Sequence, residues 1–351
     1  MSWLSDIARP EIVALKPYEH ASWEPQLERM HANELPWRAD GDATSAGLNR
    51  YPEPQPKELV ARLASLYGVR KDQLLVGRGS DEAIDLLART YCRAGQDSIL
   101  ICPPTFGMYA VMAHVQGASV VSVPLKVNEG FALDEEEVLR QCTPNVKLLF
   151  LCSPNNPTGN TIPADLILRI ANRLEGRAIV VVDEAYVEFS ASESMIRYIN
   201  DIPQLAIMRT LSKAHGLAGA RCGTLIANPE IISLLRKVIH PYAITQLTVE
   251  AALKLLEPAQ LAVMKSRIVA IKAERARMYE ALGKLPGVRR VWPSDGNFIL
   301  AEFEDPDRAL MRSRGANLLI REVRAQVGLP RTLRISIGTQ DQNNRLLESF
   351  R

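Results

Sequence analysis

Three polar residues with complementary chemistry are placed at the ends of apolar runs or in the loops beyond them. Lys213 comes a few residues after the run 205–208, Asp183 directly follows residues 178–182, and Asn156 lies in an Asn-Pro-Thr-Gly loop. A lysine amine can bond covalently to an aldehyde, and a carboxylate can pair with a protonated ring nitrogen. A lone lysine after a strand is usually a solvated surface residue, but the three motifs together predict a site for pyridoxal phosphate.

Asp183 is the residue that we expect beside the ring nitrogen of this cofactor. A carboxylate at the end of a buried strand is costly unless it is paired, and pairing with a protonated nitrogen keeps the ring able to accept electrons. Asn156 and Tyr186 are expected near the phenolic oxygen of the ring, and Phe106 is expected to stack on the ring face. Each has a structural alternative: helix capping for Asp183, turn formation for Asn156, and core packing for the two aromatic residues.

A second group of residues carries the donors that a phosphate dianion requires. Gly79 and Ser80 begin a predicted helix, and a helix N-terminus offers free N–H groups and a positive dipole. Two hydroxyls and a guanidinium lie close to Lys213 in the sequence; they belong to Thr210, Ser212 and Arg221. We expect these groups to hold the phosphate together, although Ser80 alone would only cap a helix that runs to residue 92.

The elements that must position these residues alternate between strand and helix. Short apolar runs predict strands at residues 72–76, 98–102, 119–123, 146–152, 178–182, 205–208 and 222–227. Apolar residues three or four apart predict helices at residues 58–67, 80–92, 107–115, 134–141 and 164–174. Because the strands are apolar throughout, they indicate a mostly parallel sheet with helices on both faces. The predicted site residues lie beyond strand ends, where such sheets bind ligands.

The alternation of strand and helix stops near residue 241. A long helical pattern at 259–285 is followed by expected strands at 288–302, 317–323 and 333–337, interleaved with helices at 306–314 and 340–350. We therefore predict an α/β fold in three parts. These are an N-terminal arm (residues 1–30), a large cofactor-binding domain (31–240) and a smaller α+β domain (241–351).

Composition and charge exclude few functions. With 351 residues, 47% hydrophobic and 23% charged, the chain is typical of a globular enzyme with a large core. A net charge of +2 gives no reason to expect nucleic acid or an anionic membrane as a partner. We expect no secretory signal at residues 1–10, no membrane span, and a cytoplasmic location. The five cysteines form no CxxC pair and are expected in the core, with neither disulfides nor a metal site.

Several strings spread over nearly the whole chain resemble one enzyme family. They are Lys16-Pro17-Tyr18, Ala32-Asn33-Glu34, Asn49-Arg50-Tyr51-Pro52-Glu53, Gly79-Ser80-Asp81-Glu82, the Cys-Pro-Pro-Thr-x-Gly-Met-Tyr run ending at Tyr109, the Asn-Pro-Thr-Gly loop, residues 182–189 and 209–213, and Leu333-Arg334-Ile335. Through them the chain resembles the fold-type I, pyridoxal-phosphate-dependent aminotransferases. The Asn-Arg-Tyr-Pro and Cys-Pro-Pro-Thr strings make it most similar to the histidinol-phosphate aminotransferase family.

The resemblance implies roles for residues of the predicted cofactor site. Lys213 matches the family lysine that holds the cofactor covalently and later moves a proton, in a site where Asp183 and Tyr186 are also counted as catalytic. The family's phosphate ligands match four residues of one subunit and a tyrosine of its homodimer partner; they are Ser80, Asp81, Ser212, Arg221 and Tyr51. Phe106 replaces a stacking residue that is often tyrosine. His215 stands where the family usually has an aromatic residue.

On the substrate side, the resemblance implies two arginines that bind anions. Arg334 matches an arginine that grips a carboxylate, and Arg321 matches a second anion-binding arginine, with Tyr18 and Asn33 as polar neighbours. Two guanidiniums suit substrates that carry a carboxylate in one half-reaction and a phosphate in the other. The implied reaction transfers the amino group of L-histidinol phosphate to 2-oxoglutarate. It gives imidazole acetol phosphate and L-glutamate, within histidine biosynthesis.

Three alternatives to this reaction stay open. An aminotransferase for aromatic or other amino acids and a threonine-phosphate decarboxylase would use the same cofactor, and release of CO2 would identify the decarboxylase. A regulator with an aminotransferase-like sensor domain is the non-enzyme alternative. We do not expect it, because the sequence has no basic N-terminal helix-turn-helix.

Overall fold

A seven-stranded sheet is the larger of two sheets in the computed structural model, which describes residues 2–20, 24 and 26–351. Its strands are β1 (Leu74–Gly77), β2 (Ser98–Ile101), β3 (Ser119–Ser122), β4 (Val146–Cys152), β5 (Ile179–Asp183), β6 (Leu205–Thr210) and β7 (Gly223–Ala227). Their order in the sheet is β1-β7-β6-β5-β4-β2-β3. From β6 to β3 all neighbours are parallel, whereas β7 lies antiparallel between β1 and β6. The predicted mostly parallel sheet is confirmed, with one strand reversed.

Helices cover both faces of this sheet, as predicted. They are α1 (Trp3–Asp6), α2 (Pro10–Ala14), α3 (Lys57–Tyr67), α4 (Ser80–Tyr91), α5 (Met108–Gln116), α6 (Glu135–Gln141), α7 (Ala164–Arg173), α8 (Pro229–Arg236) and α9 (Gln246–Leu255). Alternate residues of β5 enter two separate buried clusters. Val180 and Val182 join the cluster that contains α3 and α7, whereas Ile179 and Val181 join the cluster that contains α4 and α5. A strand buried on both faces must be apolar at every position, which explains the uninterrupted apolar runs.

A short helix fixes the start of the predicted N-terminal arm to the large sheet. Leu4 of α1 is 2% exposed, and the hydroxyls of Ser2 and Ser5 donate to Glu230 of α8. Residues 1, 21–23 and 25 of the predicted arm lie outside the described residues.

An antiparallel four-stranded sheet organises the C-terminal part of the chain. Its strands are β8 (Val288–Val291), β9 (Phe298–Phe303), β10 (Arg321–Glu322) and β11 (Thr332–Ser336), and its helices are α10 (Pro258–Leu282), α11 (Pro306–Gly315) and α12 (Gln340–Ser349). The strand order is β10-β11-β9-β8. A smaller α+β unit is thus confirmed, while α9 contributes Val249 and Ala252 to a buried cluster of the large sheet. The limits predicted at residues 30 and 240 stay predictions.

Three predicted elements differ from the structure. The strand expected at 288–302 is divided into β8 and β9, because residues 292–297 leave the extended conformation at a segment that contains Pro293 and Gly296. The strand expected at 317–323 is reduced to the two residues of β10, and Asn317, which has a left-handed φ of 57°, lies outside it. Ser80 is the first helical residue of α4 and not its cap. Gly79 takes the cap position with a φ of 85°, which glycine adopts without steric cost.

All five cysteines are buried, as expected for core residues. Within residues 2–20, 24 and 26–351, we find no helix with the length and hydropathy of a bilayer span. The same residues contain no group of three or more potential metal ligands.

Candidate active site

A cleft of about 650 Å³ lies where the carboxyl ends of β4, β5 and β6 meet the small sheet. Most residues predicted from the sequence line it; they are Ser80, Asp81, Phe106, Asn156, Asp183, Tyr186, Thr210, Ser212, Lys213, Arg221, Arg321 and Arg334. Of the described residues predicted for the site, Tyr18, Asn33 and Tyr51 do not line it, and all three are exposed. The fold therefore brings both sheets' predicted residues to one cleft and leaves the N-terminal ones outside it.

The start of α4 and Arg221 form one end of the cleft. Glycines allow the close approach of three segments: a β-carbon at Gly79 would lie 2.6 Å from Arg221 Nη2, and one at Gly223 would lie 2.5 Å from the backbone nitrogen of Ser80. The Oγ of Ser212 is buried and has no hydrogen-bond partner among the described residues. An unpaired hydroxyl, a guanidinium and a helix N-terminus in one cleft fit the phosphate of the expected cofactor.

Asp81 shares this end of the cleft and already has a partner. Its Oδ2 accepts a hydrogen bond from Arg221 Nη2 at 3.0 Å. The pair is partly exposed, so it contributes little to stability. It does hold the Arg221 guanidinium beside the start of α4.

Asp183 lies at the bottom of the cleft and is 3% exposed. The Tyr109 hydroxyl donates to its Oδ2 at 2.6 Å, and the N–H of Ala185 donates to its Oδ1 at 3.1 Å. Burial raises the pKa of Asp183, whereas these two hydrogen bonds oppose that rise. Both donors are neutral, so a protonated pyridine nitrogen would supply a positive partner for this buried carboxylate.

Tyr109 is a residue for which the sequence analysis predicted no role. It is fully buried, stacks on Phe150 with 4.8 Å between ring centroids, and meets the ring of Phe106 edge to face at 5.6 Å. Phe106 precedes α5 and Tyr109 lies in its first turn, so residue spacing in the sequence does not indicate these contacts.

Asn156 connects the two sheets across the cleft. Its Nδ2 donates to the Tyr186 hydroxyl at 3.3 Å, and its Oδ1 accepts a hydrogen bond from Arg334. The ring of Tyr186 in turn lies edge-on to Phe298 of β9 at 5.1 Å. Asn156 and Tyr186 thus present neighbouring polar groups near the site predicted for the phenolic oxygen of a cofactor.

Arg321 and Arg334 face each other as a cross-strand pair of β10 and β11. Burial lowers the pKa of Arg334, and the neighbouring Arg321 guanidinium lowers it further. The Nε of Arg334 is buried and has no partner in the described part of the chain. Like charges at paired positions destabilise a sheet, so this pair fits a site that an anion completes.

Lys213 points into the space between these groups. Its Nζ lies 5.5 Å from the ring centroid of Tyr186. Although Lys213 is exposed on the cleft side, burial among the cleft walls lowers the pKa of its amine, and Arg334 lowers it further. A lowered pKa increases the fraction of neutral amine, the form that attacks an aldehyde. We call the end of the cleft formed by the start of α4 and Arg221 the phosphate corner. Together with the phosphate corner and Asp183, this lysine completes a donor set that fits pyridoxal phosphate.

His215 lies behind Lys213 and does not line the cleft. It is buried, with its Nδ1 4.0 Å from Glu188 Oε1. Glu188 also accepts a hydrogen bond from Arg209 at 2.7 Å. Burial lowers the pKa of His215, which favours a neutral ring packed beneath the Lys213 loop.

Known proteins resemble the chain over nearly its whole length. The family model described as aminotransferase class I and II matches residues 28–350. A histidinol-phosphate aminotransferase of Xanthomonas euvesicatoria pv. vesicatoria (strain 85-10) is 47% identical over 323 residues, which are 92% of this chain and 89% of that protein. A protein of the same name from Stenotrophomonas maltophilia (strain R551-3) is 46% identical over 348 residues, covering 98% and 95%.

A solved structure extends the likeness to the fold. It is that of histidinol-phosphate aminotransferase from Sinorhizobium meliloti in complex with pyridoxal-5'-phosphate, with 25% identity. The TM-score is 0.76, and the alignment covers 86% of this chain and 82% of that chain.

Proposed function

The chain belongs to the class I and II aminotransferases, and we propose that its substrates are L-histidinol phosphate and 2-oxoglutarate. The amino group passes from the first to the second, giving imidazole acetol phosphate and L-glutamate as a step of cytoplasmic histidine biosynthesis. The observation that carries the proposal is the pair Arg321 and Arg334, which face each other in the cleft that contains Lys213.

Both proposed substrates carry anionic groups, and two guanidiniums match these negative charges. Histidinol phosphate has no carboxylate but carries a phosphate ester, and 2-oxoglutarate carries two carboxylates. Arg334 alone would suffice for an α-carboxylate, which a guanidinium binds through two parallel hydrogen bonds. A phosphate dianion needs more charge and more donors, and Arg321 supplies them. Tyr18 and Asn33 are proposed as further polar neighbours of the substrate.

Pyridoxal phosphate, when bound, accepts the amino group and withdraws electrons from the substrate carbon that carries it. The residues proposed to hold it can be grouped by the part of the cofactor that they contact. Asp183 keeps the ring nitrogen protonated, Asn156 and Tyr186 orient the phenolic oxygen, and Phe106 covers the ring. The phosphate is held by Ser80, Asp81, Thr210, Ser212 and Arg221.

Lys213 binds the cofactor covalently and also moves the proton on which transamination depends. Once a substrate amine has displaced it, its free Nζ would be placed to take up the proton from the substrate carbon that bears the amino group and to give that proton back at the end of the transfer. The lowered pKa of the amine favours this role, because it increases the fraction of neutral amine, the form that can accept a proton.

The complete site is proposed to need a homodimer. Tyr51 does not line the cleft of its own chain. It is 48% exposed, and its ring stacks on Tyr242 with 4.5 Å between centroids. We propose that its hydroxyl reaches the cofactor phosphate of a second subunit.

The substrate assignment is tested by Arg321→Ala. Loss of a charged hydrogen bond in a closed site costs about 2–3 kcal/mol, so kcat/KM for histidinol phosphate should fall about a hundredfold. Phenylalanine has no phosphate and should be affected far less. Arg289→Ala is the matched control, because Arg289 is an exposed arginine of β8 at the opposite edge of the same sheet.

Steady-state kinetics of both donors with the two variants distinguish the candidate functions. If the unmutated enzyme uses histidinol phosphate no better than histidinol or phenylalanine, the broad-specificity aminotransferase replaces this proposal. If a phosphorylated amino acid releases CO2 without forming glutamate, the decarboxylase replaces it.

A further inference from the structure

Two charged side chains form hydrogen bonds with the backbone of Tyr51, one with its N–H and one with its carbonyl oxygen. Glu34 Oε1 accepts a hydrogen bond from the Tyr51 N–H at 2.7 Å. Arg29 Nη1 donates to the Tyr51 carbonyl oxygen at 3.0 Å. The peptide groups on either side of this residue are thus tied to two side chains from an earlier part of the chain.

These side chains are joined to each other. Arg29 Nη2 lies 2.8 Å from Glu34 Oε1, and Arg50 Nη1 lies 3.0 Å from Glu34 Oε2. Arg50 also donates to the backbone carbonyl of Arg29 at 3.3 Å. The Glu34 side chain is only 3% exposed. We call the three residues Arg29, Glu34 and Arg50 the Tyr51 clamp.

The clamp fixes the backbone of a residue whose ring stays exposed. Removing a carboxylate and two guanidiniums from water carries a desolvation cost, and apolar residues often stabilise a fold as well or better. Stability of the fold alone would not require this desolvation cost. We therefore attribute the clamp to its effect on the direction of the Tyr51 backbone. Asn33, which has a left-handed φ of 57°, immediately precedes Glu34. The Glu34 carboxylate therefore also holds the turn that contains Asn33.

We infer that Glu34 is a positioning residue for the active site of the neighbouring subunit. Through the Tyr51 clamp it orients the Tyr51 hydroxyl toward the cofactor phosphate held by Ser80, Ser212 and Arg221 of the partner chain. The inference rests on the proposed homodimer with Tyr51 acting across the interface.

Hybrid dimers with a single working site test the inference. One chain carries Lys213→Ala and the other keeps Lys213, so only the second chain can be covalently labelled at that position by cofactor and borohydride. Glu34→Ala is then placed on one chain or the other. Labelling of Lys213 is measured by peptide mass spectrometry against the concentration of pyridoxal phosphate.

The expected result depends on which chain carries the change. Glu34→Ala on the Lys213→Ala chain should raise the cofactor concentration for half-labelling about tenfold, because that chain supplies Tyr51 to the working site. On the chain that keeps Lys213 it should have little effect. Glu34→Gln, which retains an acceptor for the Tyr51 N–H, should recover part of the loss. Glu53→Gln is the control, since Glu53 bonds the Lys57 N–H outside the clamp.

Two results would overturn the inference, and they differ from each other. Equal weakening from either chain would mean that Glu34 supports only the fold. If Tyr51→Phe has no effect from either chain, the proposed contact across the interface is itself wrong, and the role of Glu34 falls with it. Dimer formation, checked by sedimentation, and the melting temperature show whether each variant is folded.

Discussion

Tyr109 is fully buried and donates to Asp183 at 2.6 Å, so the Asp183 carboxylate has a hydrogen-bond partner outside the set of residues predicted for the site. Burial raises the pKa of Asp183, and the Tyr109 hydrogen bond opposes that rise. The carboxylate must be ionised to pair with a protonated ring nitrogen. The hydroxyl of Tyr109 therefore belongs to the proposed cofactor site, where it would act on the cofactor only through Asp183.

Tyr109→Phe should weaken cofactor binding most strongly at acidic pH. Loss of the donor raises the pKa of Asp183 further, so the carboxyl group takes up its proton at a higher pH as the pH falls. Affinity should decrease about tenfold on the acidic side and recover as the solution becomes alkaline. Titration of the cofactor's visible absorbance at a series of pH values measures this.

Tyr91→Phe provides the control for this pH profile. Tyr91 is also fully buried, and its hydroxyl has no partner among the described residues. Its removal should leave the profile unchanged. A Tyr109→Phe profile that is weakened equally at every pH would mean that Tyr109 acts through packing and not through the charge of Asp183.

At the level of elements, the proposed phosphate corner depends on the contact between β7 and the start of α4. A β-carbon at Gly223 would lie 2.5 Å from the backbone carbon of Gly79 and equally close to the nitrogen of Ser80. Because these are backbone atoms, they cannot move away as a flexible side chain can. The contact fixes where the N–H groups of α4 point.

Gly223→Ala should therefore reduce both stability and cofactor affinity. Overpacking of this kind costs about 2 kcal/mol, and it displaces the helix start from Arg221. Thermal unfolding and cofactor titration measure the two effects. Gly315→Ala is the control: a β-carbon there meets no atom within 4 Å, and alanine favours the helix, so stability should be unchanged or slightly higher. A fully stable Gly223→Ala variant would show that this contact is not needed.

Residue types predicted the elements well where burial alone decides the structure. The apolar runs of β4 and β5 could be read because both faces of these strands are covered. The direction of β7 could not, since an apolar run has the same composition in a parallel or an antiparallel neighbour. The division of β8 from β9 was missed because residues 292–297 contain both turn formers and the buried Trp292.

In the candidate site too, residue types could be predicted from the sequence, whereas contacts that depend on the three-dimensional arrangement could not. The placement of Lys213, Asp183 and Asn156 in one cleft could be predicted because a motif identifies each. Tyr109 could not, because its role depends on a contact with Asp183 across the sheet. The exposed position of Tyr51 also escapes residue patterns, and its proposed role in a second subunit was expected only from the family resemblance.

For the whole molecule, the proposed homodimer predicts recovery of activity in mixtures of two inactive chains. Lys213→Ala removes the covalent attachment, and Tyr51→Ala removes the hydroxyl expected at the partner's phosphate. A hybrid dimer then contains one site with both residues intact, so mixing should restore activity to at most about half of the unmutated value per dimer. Transaminase assays of purified hybrids measure this. Hybrids that stay inactive would mean that each subunit builds its own site.

The facing pair Arg321 and Arg334 has a consequence for how long the enzyme stays occupied. In the proposed reaction, each half-reaction ends with one anion leaving and another entering the same cleft. When the bound anion leaves, the two guanidiniums repel each other without a negative charge between them. The empty cleft is therefore higher in free energy, and departure of the anion becomes less favourable. An incoming anion relieves that repulsion. The pair would therefore favour exchange of one anion for the next over a long-lived vacant state, and the proposed oxo acid and phosphate ester would compete for the same place.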